Sequence, residues 1–194
     1  MGDMKDIRLL GILLLALAVR TVMLFSVFED VKRARKPDSH DYENLASWWL
    51  VSGDYQLENL AVMAPWDGAP IPRPEIFRTP GYPALLAGAN WATPETHRGY
   101  PPLMLIDPPP FTSATTLKII LSFQVLLDLH LVLLTFFLGR ALAGHGAGLM
   151  AALLQAVSPL AAAASCRILS DGVFAFLLTA AVLLLPSCLN CTPR

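Results

Sequence analysis

The sequence predicts an all-α, polytopic transmembrane protein with a long outer loop that contains interfacial helices. Composition is the first reason: 55% of the 194 residues are hydrophobic and only 15% are charged, whereas a soluble domain carries about 25% charge. The apolar residues are also gathered into four long blocks. A polar, proline-rich stretch separates the first block from the other three and predicts the outer loop.

The four apolar blocks predict the membrane spans, because a helix needs about 20 mainly apolar residues to cross a bilayer. The predicted spans cover about residues 9–28, 117–138, 146–164 and 172–186. The last block is short, and we expect Pro186 to break it because proline cannot continue a helical hydrogen-bond ladder. This ending predicts that the chain is the N-terminal part of a larger transmembrane domain whose remainder is missing.

The predicted outer loop covers about residues 29–116 and contains two candidate helices. Apolar residues recur at helical spacing from Tyr42 to Leu50, and Gly53 marks the end of this helix. Its tryptophans favour the membrane–water interface. A second apolar run, at 81–91, is too short to span and predicts another interfacial or re-entrant helix. Between them, the proline-rich stretch 65–83 predicts extended chain.

The orientation follows from the short connection between the second and third blocks. Arg140 lies in this connection, and positively charged short loops stay in the cytoplasm. We therefore predict a cytoplasmic N-terminus and an outer loop outside. Lys32 and Arg33 oppose this orientation because they would lie outside, but long loops obey the rule weakly.

With this orientation, several charged residues converge on the outer face: Asp38, Asp41, Arg78 and Asp171. Asp38 is a candidate N-cap of the first loop helix, and Asp41, one turn further on, would also complement the free amides of that helix. Asp171 is a candidate N-cap at the start of the fourth span. Alternatively, one carboxylate acts as a general base beside the membrane. The guanidinium of Arg78 either grips phosphate oxygens or is an ordinary solvated loop residue.

Charged and polar residues also occur inside the predicted spans, at Arg20, Asp128 and His130. A charge at this depth costs several kcal/mol and usually faces a helix-bundle interior or an aqueous cavity. We therefore expect these three side chains to face inward. The net charge of −1 and the lack of a basic stripe indicate no nucleic-acid partner.

Five short segments occur in an order that is typical of one family. They are Asp-Ser-His-Asp-Tyr-Glu-Asn-Leu-Ala at 38–46 with Gly-Asp-Tyr at 53–55, Arg-Thr-Pro-Gly-Tyr-Pro at 78–83, Gln124 to Asp128 followed by Leu-Gly-Arg at 138–140, Ser-Pro at 158–159, and Leu-Ser-Asp at 169–171. In this order the chain resembles the dolichyl-phosphate-mannose-protein mannosyltransferase-like family of bacterial membrane glycosyltransferases. This is the GT-C class, which also contains the lipid A aminoarabinose transferase.

The resemblance implies an enzyme that transfers a sugar from a polyprenyl-phosphate donor to an acceptor hydroxyl, with inversion. Asp38 maps onto the catalytic base and Arg78 onto the residue that meets the lipid phosphate. Asp41, Tyr42, Tyr82 and Asp171 map onto substrate-binding positions. The implied location is the bacterial inner membrane, with the active face outside the cytoplasm. The acceptor is a lipid, glycan or protein, and membrane lipids are further partners. No cofactor is certain; some GT-C enzymes use a divalent metal and others do not.

Family members are several hundred residues long, so we expect this fragment to be inactive by itself. The alternative is a non-enzymatic membrane protein, either a transporter or an assembly subunit. In a transporter Arg20, Asp128 and His130 would line the transport path. That alternative predicts paired broken helices in two repeats, and the sequence shows no such pair.

Overall fold

The computed structural model describes residues 7–35, 37–53, 55–57, 73–74, 79–93 and 112–190. The helices of these parts are α1 Ile7–Glu29, α2 Pro37–Ser52, α3 Gly81–Ala92, α4 Ala114–Ala143, α5 His145–Val157, α6 Pro159–Ser165 and α7 Asp171–Asn190, with a 3-10 turn at Val31–Ala34. A two-residue antiparallel strand pair joins Gln56–Leu57 (β1) to Arg73–Pro74 (β2). The prediction of an all-helical protein is confirmed, apart from this short strand pair.

The chain divides into two compact units. The first is formed from the described residues of 1–34 and 121–194, and the second from those of 35–120. Helix α4 begins in the second unit and continues in the first. Within the described residues, α1 and α4 are each long and apolar enough to cross a membrane. These two helices indicate a membrane protein.

The third apolar block is not one straight helix. Helices α5 and α6 meet at Ser158 with a bend of 60°, which the apolar pattern of this block did not predict. Ser158 has extended backbone, and its hydroxyl accepts a hydrogen bond from the Ala161 amide at 3.3 Å, which caps α6. Pro159 follows at the first position of α6, where a missing amide hydrogen is tolerated. By length, the bent pair can count as one further span.

The fourth block forms α7, which continues through Pro186 to Asn190. The predicted break at Pro186 is therefore wrong. A proline removes one amide donor from the ladder, and transmembrane helices tolerate this loss when nearby groups replace the missing bond. The apolar part of α7 that the structure describes, Asp171–Leu185, is shorter than a full span.

The first unit is held together by close helix packing. Helix α1 packs on α5 and α6. The buried core residues are Ala16, Val132, Phe136, Ala152 and Ala156. Helices α4 and α5 turn back on each other at Gly144, whose φ is +86°. They approach so closely that a Cβ placed on Gly148 would lie 2.6 Å from the carbonyl oxygen of Phe136.

The second unit is built on the packing of α2 against α3. Helix α2 ends where predicted, because Gly53 adopts φ +78° and its amide donates to the Trp49 carbonyl at 3.1 Å. Leu45 and Ala46 of α2 are fully buried. This part of the predicted apolar face is therefore covered by protein and is not free to lie on lipid. Trp49 remains exposed, and a position of α2 at the membrane surface stays a prediction.

Candidate functional site

Asp38 lies in the first turn of α2 and its side chain is exposed. The helix begins one residue earlier, at Pro37, so the prediction of Asp38 as N-cap is wrong. Proline favours the first helical position because its fixed φ suits the helix and it has no amide hydrogen to satisfy. The carboxylate still lies at the positive end of the helix dipole.

Tyr42 and Tyr82 bring two of the sequence motifs together in the second unit. Their rings meet edge to face with centroids 5.1 Å apart. Tyr42 is one turn beyond Asp38 on α2, and Asp41 precedes it in a half-buried position. Tyr82 is buried near the start of α3 and belongs to the same motif as Arg78. The structure thus joins the aspartate–tyrosine segment to the proline–glycine–tyrosine segment.

The remaining two predicted site residues are placed differently. Arg78 lies outside the described residues, so its role stays a prediction. Asp171 is the first residue of α7, exposed, and belongs to the first unit. The expected N-cap role of Asp171 is wrong, since Ser170 precedes the helix and its carbonyl accepts from the Phe174 amide at 2.9 Å.

An ion pair between Arg35 and Glu43 fixes the N-terminal half of α2. The two guanidinium donors Nε and Nη2 each lie 3.1 Å from a carboxylate oxygen of Glu43. Nη2 also donates to the Thr112 carbonyl at 3.2 Å. Glu43 is buried, and such bidentate pairing is strong and geometrically specific. Asp38 therefore sits on a helix whose position is fixed. Sequence reasoning missed this ion pair.

A second ion pair, between Arg20 and Asp128, lies inside the first unit. Arg20 is fully buried and Asp128 is nearly so. Arg20 Nε donates to Asp128 Oδ2 at 2.5 Å. The other Asp128 oxygen accepts from the Gln155 side chain at 3.4 Å. The prediction that these two charges face inward is confirmed.

Arg20 also compensates for the break between α5 and α6. Its Nη1 donates to the Ala156 carbonyl at 2.5 Å, and its Nη2 to the Gln155 carbonyl at 3.0 Å. In an unbroken helix, the amide of residue 159 would serve Gln155, but Pro159 has no amide hydrogen. The Gln155 carbonyl keeps one backbone donor, the Ser158 amide at 3.4 Å. The guanidinium therefore adds a second donor to Gln155 and satisfies the Ala156 carbonyl at the break.

This network bears on the predicted transport path. Arg20 and Asp128 neutralise each other and are buried, so they do not line an open passage in the described residues. His130 is exposed, and one ring nitrogen lies 2.7 Å from the Leu126 carbonyl. The prediction that His130 faces inward is wrong, because its place on α4 is on the opposite side from the ion pair.

The turn between α6 and α7 is anchored at three points in the first unit. The Cys166 thiol lies 3.9 Å from the Arg20 carbonyl. The Ile168 amide donates to the Ala34 carbonyl at 3.0 Å. The Gln124 side chain donates to the Leu169 carbonyl at 3.2 Å. These contacts hold the turn, and with it Asp171, against α1 and α4.

Metal binding finds no support in the part of the chain that the structure describes. No group of three His, Cys, Asp or Glu side chains there lies close enough to hold an ion. We therefore derive no chemical step through a metal.

The described residues form a helical protein in which α1 and α4 could each span a membrane, with a buried ion pair between Arg20 and Asp128 and a partly buried one between Arg35 and Glu43. No protein-family model, curated protein or solved structure matches the chain. The function is consequently argued from the motifs and the geometry alone.

Proposed function

We propose that this chain belongs to a membrane glycosyltransferase. The enzyme transfers a sugar from a polyprenyl phosphate to an acceptor hydroxyl at the outer face of the membrane, with inversion. The observation that carries the proposal is the contact between Tyr42 and Tyr82. Two motifs that lie far apart in the sequence, and that resemble the same enzyme family, meet in one packed unit.

Asp38 is the general base in this proposal. It takes the proton of the acceptor hydroxyl while that oxygen attacks the anomeric carbon, and the lipid phosphate leaves from the opposite face. The exposed position of Asp38 supports this role, because an acceptor can reach it. The ion pair between Arg35 and Glu43 supports it as well, since a base must be held in a fixed geometry.

Arg78 is the phosphate ligand in this proposal. A guanidinium matches phosphate oxygens in bidentate fashion and keeps its charge at every relevant pH. Arg78 comes three residues before α3. The buried Tyr82 fixes the start of this helix. Asp41, Tyr42 and Tyr82 complete the proposed substrate site, and the family resemblance adds Asp171 as a further substrate-binding residue. The proposed setting is the bacterial inner membrane, with the site outside the cytoplasm and a lipid, glycan or protein acceptor.

A transporter is the second candidate, and the break between α5 and α6 is the observation that favours it. Broken helices often form substrate sites near the middle of a membrane. However, the described residues contain one such bent helix pair rather than two. The charges beside the break are also satisfied by each other, which leaves no free charge there for a transported ion.

Donor binding tests the proposal in the chain as it is. The purified chain in lipid nanodiscs should bind a polyprenyl phosphate more tightly than a phosphatidic acid of similar charge. Arg78→Ala should weaken that binding roughly 10–150-fold through the loss of a charge-assisted contact. Arg78→Lys should recover only part, because an ammonium lacks the planar fork.

Arg140→Ala is the matched control, because Arg140 lies in the last turn of α4 and should not affect donor binding. Equal affinity for the two lipids, or equal losses in the Arg78 and Arg140 variants, would contradict the proposed phosphate site.

A further inference from the structure

The turn between α6 and α7 can be assigned a depth in the membrane, because its contacts end at known positions on α1 and α4. Arg20 lies near the middle of α1, which runs from Ile7 to Glu29. Asp128 lies near the middle of α4, which runs from Ala114 to Ala143. Their ion pair joins the two midpoints. Since both helices cross the membrane in the proposed function, this ion pair lies near the bilayer midplane.

Helix α5 ends at this same depth. Its last carbonyls, those of Gln155 and Ala156, accept hydrogen bonds from Arg20. Its 13 residues correspond to about 20 Å of rise. This rise carries the chain from the end of α4 only as far as the midplane.

Helix α6 adds little further depth. It has 7 residues and is bent 60° away from α5. Its length is therefore about 10 Å, of which roughly 5 Å continues in the direction of α5. About 15 Å separates the midplane from the edge of the hydrocarbon core, so α6 ends inside the membrane.

The contacts of the following turn agree with this depth. The Cys166 thiol touches the carbonyl of Arg20, close to the midpoint of α1. The Leu169 carbonyl accepts from Gln124, which lies four residues from Asp128 and thus about 6 Å from the midplane along α4. Between them, the Ile168 amide donates to the Ala34 carbonyl, five residues past the end of α1. The middle of the turn therefore reaches toward the membrane edge, while Cys166 and Leu169 stay inside the hydrocarbon thickness.

Non-helical backbone at this depth must be buried in protein or line a water-filled cavity. Cys166 and Ile168 are buried. Arg167, however, is half-buried, and Asp171, which follows the turn, is exposed. Charged side chains at such a depth usually face water. Other parts of the protein thus cover the apolar side chains of the turn, whereas the charged side chains beside it remain accessible.

We propose that a water-filled vestibule enters the half of the membrane that contains Ala114 and ends at the turn between α6 and α7. Helices α5 and α6 together therefore do not complete a crossing of the membrane. Arg167 and Asp171 form its charged lining. The vestibule admits water and small hydrophilic solutes. The inference rests on α1 and α4 crossing the membrane, which is part of the proposed function, but not on sugar transfer.

Cysteine accessibility and spin-label depth, measured together, test the vestibule. In the full chain, the three native cysteines are replaced by serine, and one cysteine is introduced as Leu169→Cys or, separately, as Ser170→Cys. The matched control is Phe123→Cys, because Phe123 is exposed on α4 and lies next to Gln124, at the depth of the turn. Each variant is placed in phospholipid vesicles with a charged methanethiosulfonate reagent on both sides. In a parallel sample, a nitroxide spin label is attached to the same cysteine. Its accessibility to oxygen and to a nickel chelate gives the depth of that position in the bilayer.

We expect Leu169→Cys and Ser170→Cys to react at least about 50-fold faster than Phe123→Cys, since a charged reagent is excluded from lipid but enters water. The nitroxide depths of all three should lie inside the hydrocarbon core. Slow reaction at both turn positions would overturn the vestibule. Fast reaction at headgroup depth would overturn the incomplete crossing. Fast reaction of Phe123→Cys would show that α4 does not cross the membrane, and would contradict the proposed function as well.

Discussion

Arg20 has two roles at once, and both follow from its burial. It balances the charge of Asp128, and it donates to the carbonyls at the end of α5. A buried ion pair is weak support for stability by itself, because desolvation of both charges offsets their attraction. The second role is different, since no other donor in the described contacts reaches the Ala156 carbonyl.

Substitutions of Arg20 and Asp128 should separate these roles. Arg20→Met leaves an unpaired buried carboxylate and should lower the free energy of unfolding by about 3–5 kcal/mol. The double substitution Arg20→Met with Asp128→Leu removes both charges and should recover much of this loss. It should still retain a deficit of about 1–3 kcal/mol, the cost of the unsatisfied Ala156 carbonyl.

Unfolding in mixtures of mild detergent and dodecyl sulfate measures these differences. Full recovery in the double variant would show that Arg20 does not serve the helix break. No recovery at all would show that the two charges are not energetically coupled.

The close packing of helix α4 against helix α5 depends on a glycine at their contact. Gly148 has the Phe136 carbonyl in the space that a Cβ would occupy, so Gly148→Ala must push the two helices apart. Such overpacking costs roughly 1–3 kcal/mol. Gly146 lies on the same helix, and a Cβ there meets nothing within 4 Å. Gly146→Ala should therefore be neutral, or stabilising by about 0.4–1 kcal/mol.

The same unfolding measurement compares the two alanine variants. Equal stability of Gly148→Ala and Gly146→Ala would mean that the helices of the hairpin do not approach as closely as the structure shows.

Sequence reasoning succeeded for elements whose signals are local. The helix from Tyr42 to Leu50 and its end at Gly53 follow from spacing and from one residue that accepts a positive φ. It failed where two local signals compete. Pro37 and Asp38 both favour a helix start, and the structure shows that proline takes the first position. The apolar run across Ser158 and Pro159 likewise predicted one span, although its proline marks the break.

Long-range partners could not be predicted from the sequence. Arg20 and Asp128 are each visible as costly charges inside apolar blocks, but nothing local tells which residue pairs with which. The ion pair between Arg35 and Glu43 is hidden for the same reason, because charged residues in a polar loop are normally solvated. Of the candidate site, the sequence motifs indicated Tyr42 and Tyr82, and only the structure joins their rings.

At the scale of the whole molecule, the orientation in the membrane remains a prediction. The prediction is based on Arg140, which lies in the last turn of α4, just before the chain turns back into α5. With native cysteines replaced, a cysteine at Ser52 should react with an impermeant reagent added outside intact cells, and a cysteine at Ala143 should react only after permeabilisation. Labelling of position 143 but not of position 52 from outside would reverse the orientation.

The central claim is that Asp38 is the base of a sugar transfer from a lipid phosphate, and Asp38→Asn tests it most directly. The amide keeps the shape of the side chain but does not accept the proton. In the active enzyme, donor affinity should stay unchanged, while the single-turnover transfer rate should fall by roughly 10²–10⁴-fold. His40→Gln is the matched control, because His40 is exposed on the same helix and should leave both quantities unchanged. Near-normal turnover of folded Asp38→Asn would contradict the account.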